Sequence, residues 1–267
     1  MQAMQGIETY EQVMILMVLV AAFIALGYAY WLARQTFAAD KGSPNMQRIW
    51  EYIRDGANAY LRTQLRTVAI LIVVLTVFMF LSVYLVSPTG EANELLCADA
   101  VRNVQAESIA ENTSLSKAQV LEMEAGGTSM MNIATEEGYT DFDANRVAAT
   151  AECDQARIAI AIGRAIAFAM GSTFSATVGF IGMNMAVQGN VRVAEAAKTS
   201  FSRALTIAYR SGTITGMLTD GLGLMGGTLI FIVFGKAAPD VLLGFGFGGT
   251  LPALFMRVGG GIYTKAA

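Results

Sequence analysis

Residues 13–33 read VMILMVLVAAFIALGYAYWLA. The run holds no charged residue and is about as long as one helical crossing of a bilayer requires. It is too long and too apolar for a signal peptide, and no basic leader or small-residue cleavage site accompanies it. Comparable runs follow at 67–86, 158–187, 205–234 and 241–256. The expected fold class is all-α integral membrane, with five transmembrane helices. Composition points the same way: the 267 residues are 54% hydrophobic and 15% charged, where soluble domains carry about 25% charge. Mean hydropathy is +0.49.

The absent residue types exclude whole classes of chemistry. The sequence has no histidine, which removes Ser-His and Cys-His triads, imidazole zinc sites, histidine haem ligation and histidine pH switches. Two cysteines cannot build a four-thiolate metal site or a disulfide scaffold. A net charge of −3 and a pI near 5.1 disfavour a nucleic-acid binder.

Basic residues set the expected orientation. The segment 34–66 holds Arg34, Lys41, Arg48, Arg54, Arg62 and Arg66, and 188–210 holds Arg192, Lys198, Arg203 and Arg210. The N-terminal tail has no basic residue, and the 235–240 turn has only Lys236. The positive-inside tendency places both basic segments in the cytoplasm, the N-terminus outside and, after five crossings, the C-terminus inside. Residues 1–86 thus form two spans joined by a cytoplasmic segment. Within it, Met46, Ile49, Ile53, Ala57, Tyr60 and Leu61 recur on one helical face over 45–66. Pro44 stands where a helix start tolerates a missing N–H. An interfacial helix is one reading; a helical extension of the second span is preferred, because no Gly or Pro interrupts 57–86.

The connection 87–156 carries thirteen acidic residues against Arg102, Lys117 and Arg146. It reads as an acidic external loop, solvated and partly ordered, in preference to a binding module. Ser116 and Gln119 fit a capping box that opens a short helix ended by Gly126-Gly127. Cys97 and Cys153 stand near its two ends. A disulfide between them would close the loop, and two independent thiols are the alternative. Residues 157–267 supply spans three to five.

Gly221, Gly223 and Gly226, and again Gly244, Gly246 and Gly249, match G-x-G-x-x-G. Neither follows a strand, so the dinucleotide reading fails. Gly223/Gly227 and Gly244/Gly248 instead have the spacing that lets membrane helices approach closely.

The last stretch, GFGFGGTLPALFMRVGGGIYTKAA at 244–267, puts Arg257 in an otherwise uncharged apolar run, then three glycines, then Lys265. Here the chain resembles the membrane-bound, ion-pumping pyrophosphatases, in which a GFGFG segment leads to RVGGGIYTKAAD. NMQRIWEYIRDGANAYL at 45–61 is similar to that family's first cytoplasmic segment. GFIGMNMAVQGNVRVAEAA at 179–197 is similar to its GFIGM…ANVRTAEAA stretch. The resemblance covers all five spans in order.

It implies a larger helical-bundle pump, energised by pyrophosphate and moving H⁺ or Na⁺, with H⁺ preferred. Hydrolysis would take place on the cytoplasmic side of the cell (inner) membrane, in a homodimer using Mg²⁺. Lys265 corresponds to the family's substrate-contacting lysine, and Arg257 to its ion gate. The family continues into DVGADLVGKVE and later Asp-rich motifs that hold magnesium, pyrophosphate and the attacking water. The chain is thus expected to be an N-terminal fragment, truncated before the main catalytic motif, inactive alone and without magnesium ligands of its own. The alternative is a non-catalytic membrane component or remnant of a split protein.

Helix rise sets the depths of the charged residues. Lys265 lies about 36 Å along a helix from Val241, beyond a hydrocarbon core of about 30 Å. Arg257 lies about 24 Å along, where an arginine is costly unless paired or hydrated. Asp220, about 21 Å from Phe234, comes to nearly the same depth. Asp220 is expected either to pair with Arg257 or to face a lipid-side defect or another helix. Arg157 and Arg164, at the outer end of the third span, are expected to snorkel outward.

Overall fold

The computed structural model describes residues 9–85, 97–151 and 154–266, with side chains described as far as Phe255. Among these residues every regular element is helical. In chain order they are α1 (Thr9–Phe37), α2 (Pro44–Leu85), α3 (Ala98–Asn112), α4 (Lys117–Ala125), α5 (Met130–Glu136) and α6 (Ala144–Ala148). Then come α7 (Asp154–Ala197), α8 (Phe201–Phe234), the 3-10 turn Gly235–Ala237 and α9 (Ala238–Ala266).

Four stretches of the described residues are long and apolar enough to cross a membrane: Thr9–Phe37, Pro44–Val83, Arg157–Ala197 and Phe201–Phe255. The sequence led to five. The last stretch joins α8 and α9 into one run because only Lys236 and Asp240 interrupt its apolar character between Asp220 and Phe255. The backbone itself turns there. Gly235 has φ +52°, a conformation costly for a residue with a Cβ. Phe234 lies against Gly163 of α7, and Phe245, further along, lies against Gly226 of α8. The helix α9 therefore runs back beside α8.

The 45–66 segment and the second apolar run form one helix of 42 residues beginning at Pro44, so it is not a separate interfacial element. Its Trp50 Nε1 donates to the Val187 carbonyl of α7 at 3.1 Å. Lys41 Nζ and Arg54 Cζ lie 4.8 and 5.0 Å from the same indole ring. Helix α1 packs along α8, with Ala22 and Leu26 against Gly221. Arg192 of α7, only 2% exposed, ties down the end of α1. Its Nε donates to the Ala39 carbonyl at 3.1 Å and its Nη2 to that of Phe37 at 3.4 Å. The Phe37 carbonyl belongs to the helix end that has no intrahelical donors left, and Ala39 lies two residues beyond it.

The acidic connection, expected as a partly ordered loop, carries four short helices among its described residues. Helices α3 to α6 pack on a core of their own, in which Ala106, Ile109, Val120, Ile133 and Ala134 are fully buried with Phe142 beside them. Gln105 Nε2 donates to the Ala144 carbonyl at 3.1 Å, and Arg102 pairs with Glu124. Charge is abundant here, but enough apolar positions fall on inward faces to bury a core. The predicted capping box is present: Ser116 accepts from the Gln119 N–H while the Gln119 side chain accepts from the Ser116 N–H. Gly126 ends α4, and Gly127 follows at φ +99°.

Candidate functional site

One helix carries two of the residues the sequence singled out. Arg257 and Lys265 both lie on α9, whose backbone is helical without interruption from Ala238 to Ala266. Eight residues separate them, about 12 Å along the axis. Their side chains lie outside the described set, so the Asp220–Arg257 pairing does as well. Asp220 itself is exposed on α8. It sits between Thr219, which lines a cavity shared with α9, and Gly221, which faces α1.

What positions α9 is its contact with α7, and that contact is backbone against backbone. A Cβ at Gly244 would run into the Arg164 carbonyl, one at Gly248 into the Phe168 carbonyl, and one at Gly171 into the Phe245 carbonyl. Small residues at such places let membrane helices approach closely, as the spacing predicts for Gly244 and Gly248. The GFGFG segment is thus a packing surface. Phe245 adds an edge-to-face contact with Phe174, with ring centroids 6.3 Å apart.

Where this contact begins, near Asp240, Arg164 does not snorkel. Its Nε donates to the Asp240 backbone carbonyl at 2.7 Å, and its Nη2 lies 3.5 Å from Asp240 Oδ1, with the side chains 16% and 8% exposed. Asp240 stands in the first turn of α9, where the helix dipole also favours a carboxylate. Sequence reasoning missed this pair. The available signal was two opposite charges at the ends of apolar runs on the same side, but 76 positions apart.

A cavity of about 350 Å³ opens between Gly171, Phe174 and Val178 of α7, Thr219 and Gly223 of α8, and Phe245, Gly249 and Ala253 of α9. Its lining is almost wholly apolar, and it adjoins the part of α9 that leads to Arg257.

Among the described residues no group of three or more acidic or cysteine side chains converges as a metal site. Cys97 is disulfide-bonded; Cys153 lies outside the described residues.

Comparison with known proteins gives this helix its context. The chain matches the family described as inorganic H⁺ pyrophosphatase over residues 23–267. It is 46% identical over 264 residues to a K⁺-insensitive pyrophosphate-energized proton pump of Chloroflexus aurantiacus, covering 99% of this chain and 27% of the relative. Pumps of the same description from Streptomyces avermitilis and Caldanaerobacter subterraneus are 34% and 30% identical, over 96% and 94% of this chain and 25% and 27% of theirs. No solved structure matches. The chain spans about a quarter of the length of these relatives. The match runs through all five long helices, and on it the chain belongs to the inorganic H⁺ pyrophosphatase family.

Proposed function

We propose that this chain is the N-terminal part of a pyrophosphate-energised proton pump, in which α9 links phosphate chemistry to ion movement. The carrying observation is a single uninterrupted helix that bears both Arg257 and Lys265 and is fastened backbone to backbone onto α7. Lys265 contacts pyrophosphate on the cytoplasmic side. An ammonium is a compact charge suited to a phosphate oxygen. Arg257, about 12 Å deeper along the helix, forms part of the ion gate, where Asp220 at similar depth is its candidate partner. An arginine placed there is costly unless it is paired or hydrated, which favours a functional role over a passive one.

Five crossings with the N-terminus outside and the C-terminus inside fit this reading, supported by the return of α9 beside α8 and by the basic segments 34–66 and 188–210. The acidic helices α3 to α6 then lie outside the cell membrane. A Cys97–Cys153 disulfide would tie their two ends together. The complete pump is a homodimer whose magnesium ligands and water-activating carboxylates lie on later parts of the polypeptide. The chain alone is inactive.

Coverage of about a quarter of its relatives also favours a second reading, a non-catalytic component of a split protein. The nucleotide sequence after Ala267 separates the two. An in-frame Asp-Val-Gly-Ala-Asp supports the pump, and a stop codon supports the split protein. Phosphate release then tests the activity. The full-length polypeptide should liberate phosphate from pyrophosphate and residues 1–267 should not. A full-length protein that releases none overturns the pump.

A further inference from the structure

Where α1 ends, it encloses with α7 and α8 a polar cavity that the pump reading leaves unused. The volume is about 210 Å³, and the lining includes Asp40, Arg192, Glu195, Thr199, Arg203 and Ile207. Arg192 reaches it from within the protein, with only 2% of the residue exposed. A guanidinium carries five N–H donors. Four hydrogen bonds of Arg192 go to the carbonyls of Ala39, Phe37 and Gln188 and to the Gln188 side-chain oxygen. All of these acceptors are neutral, so the cation is held in place without a counter-charge. A buried charge in that condition is costly, and an anion beside it lowers the cost.

The charges around it leave a place for one. Glu195 is paired with Lys198, and Asp40 Oδ1 accepts from the Gly42 N–H at 3.0 Å. Among the described residues neither Arg192 nor Arg203 takes part in an ion pair. Arg203 stands in the first turn of α8, capped by Ser200. The positive end of that 34-residue helix therefore lies at the same place.

The depth of the cavity indicates the kind of anion. Ile207 in its lining is two residues from Tyr209, which is 76% exposed. Trp31 of α1, on the apolar side of Ala39, is 52% exposed. Outward-facing Tyr and Trp at the ends of membrane helices sit at the level of the lipid headgroups. The cavity starts at that level and continues to Thr199, ahead of α8.

We propose that this cavity binds the phosphate of an anionic phospholipid headgroup. Arg203 and the start of α8 contact the phosphate oxygens, and Arg192 supplies the buried positive charge behind them. The bound lipid joins the end of α1 to the turn between α7 and α8. No step of this depends on pyrophosphate chemistry.

The test is native mass spectrometry of the full-length protein in neutral detergent, titrated with phosphatidylglycerol. Wild type should hold one molecule at least tenfold more tightly than any further ones. Arg203→Gln, at an exposed position, should weaken that site about tenfold, and Arg203→Lys should keep most of the affinity. Asp40→Asn removes a negative charge from the lining but keeps the oxygen that accepts from Gly42, and it should tighten the site about threefold. The absence of a tight site in the wild type, or a tight site indifferent to both Arg203→Gln and Asp40→Asn, overturns the proposal. Phosphatidylcholine bound as tightly as phosphatidylglycerol also overturns it. So does displacement of the lipid by an equal concentration of inorganic phosphate, which would make the cavity a site for a soluble anion.

Discussion

The acidic helices α3 to α6 and the long helices before and after them differ in what they leave exposed. In the acidic part, Ile109, Val120 and Ile133 are fully enclosed, and among the described residues there Met131 is the one large apolar side chain left exposed, at 46%. In the long helices many large side chains also point away: Phe23, Ile24 and Tyr30 of α1 are 59%, 66% and 66% exposed. The inward positions of the long helices mix large side chains, Ile160, Phe168, Ile214 and Val241, with Ala22, Ala29, Gly221, Gly226, Gly244 and Gly248, which allow the closest approaches. Water drives the first arrangement through the hydrophobic effect. Lipid tails are as apolar as leucine, so the second relies on close backbone approach and polar contacts between helices. One polypeptide thus folds by two rules, and the helix with the functional residues obeys the second.

That contrast can be broken at specific residues. Arg164→Ala removes the guanidinium that faces the Asp240 carboxylate, and losing one partner of a buried pair costs about 3–5 kcal/mol. Thermal unfolding of the detergent-solubilised full-length protein should show a loss of this size, with hydrogen exchange in α3 to α6 unchanged. A loss under about 1 kcal/mol, the range of a surface pair, would mean that the glycine contacts alone hold α9. Ile133→Ala should act in the other region. It empties part of the water-type core at a cost of about 2–4 kcal/mol, read as faster amide exchange in α3 to α6 with proton transport intact. Accelerated exchange in α7 or α9 would show that the two cores are not separate. Ser116→Ala removes one side of the capping box, worth about 1 kcal/mol, and should speed exchange only at the first amides of α4.

Legibility from sequence followed the range of the interactions. The capping box at Ser116 and Gln119 was readable because its partners are three positions apart, and the unbroken α2 because nothing between Ala57 and Leu85 stops a helix. The core of α3 to α6 was hidden, since Ile109, Val120 and Ile133 meet only after four short helices fold on each other. The Arg164–Asp240 pair was hidden for the same reason. The α7–α9 contact was half readable: the spacing of Gly244 and Gly248 pointed to close packing but not to its partner. Arg257 and Lys265 stood out by motif, and helix rise placed them on one rod.

The pump reading places its chemistry on Lys265, so pyrophosphate-driven acidification of vesicles carrying the full-length polypeptide tests it most directly, with wild type and Lys265→Ala side by side. Wild type should acidify the lumen on addition of pyrophosphate, and Lys265→Ala should do so about a hundredfold more slowly, the rate equivalent of losing one charged contact to the transition state. Acidification by Lys265→Ala at the wild-type rate, or none by the wild type, would contradict the account.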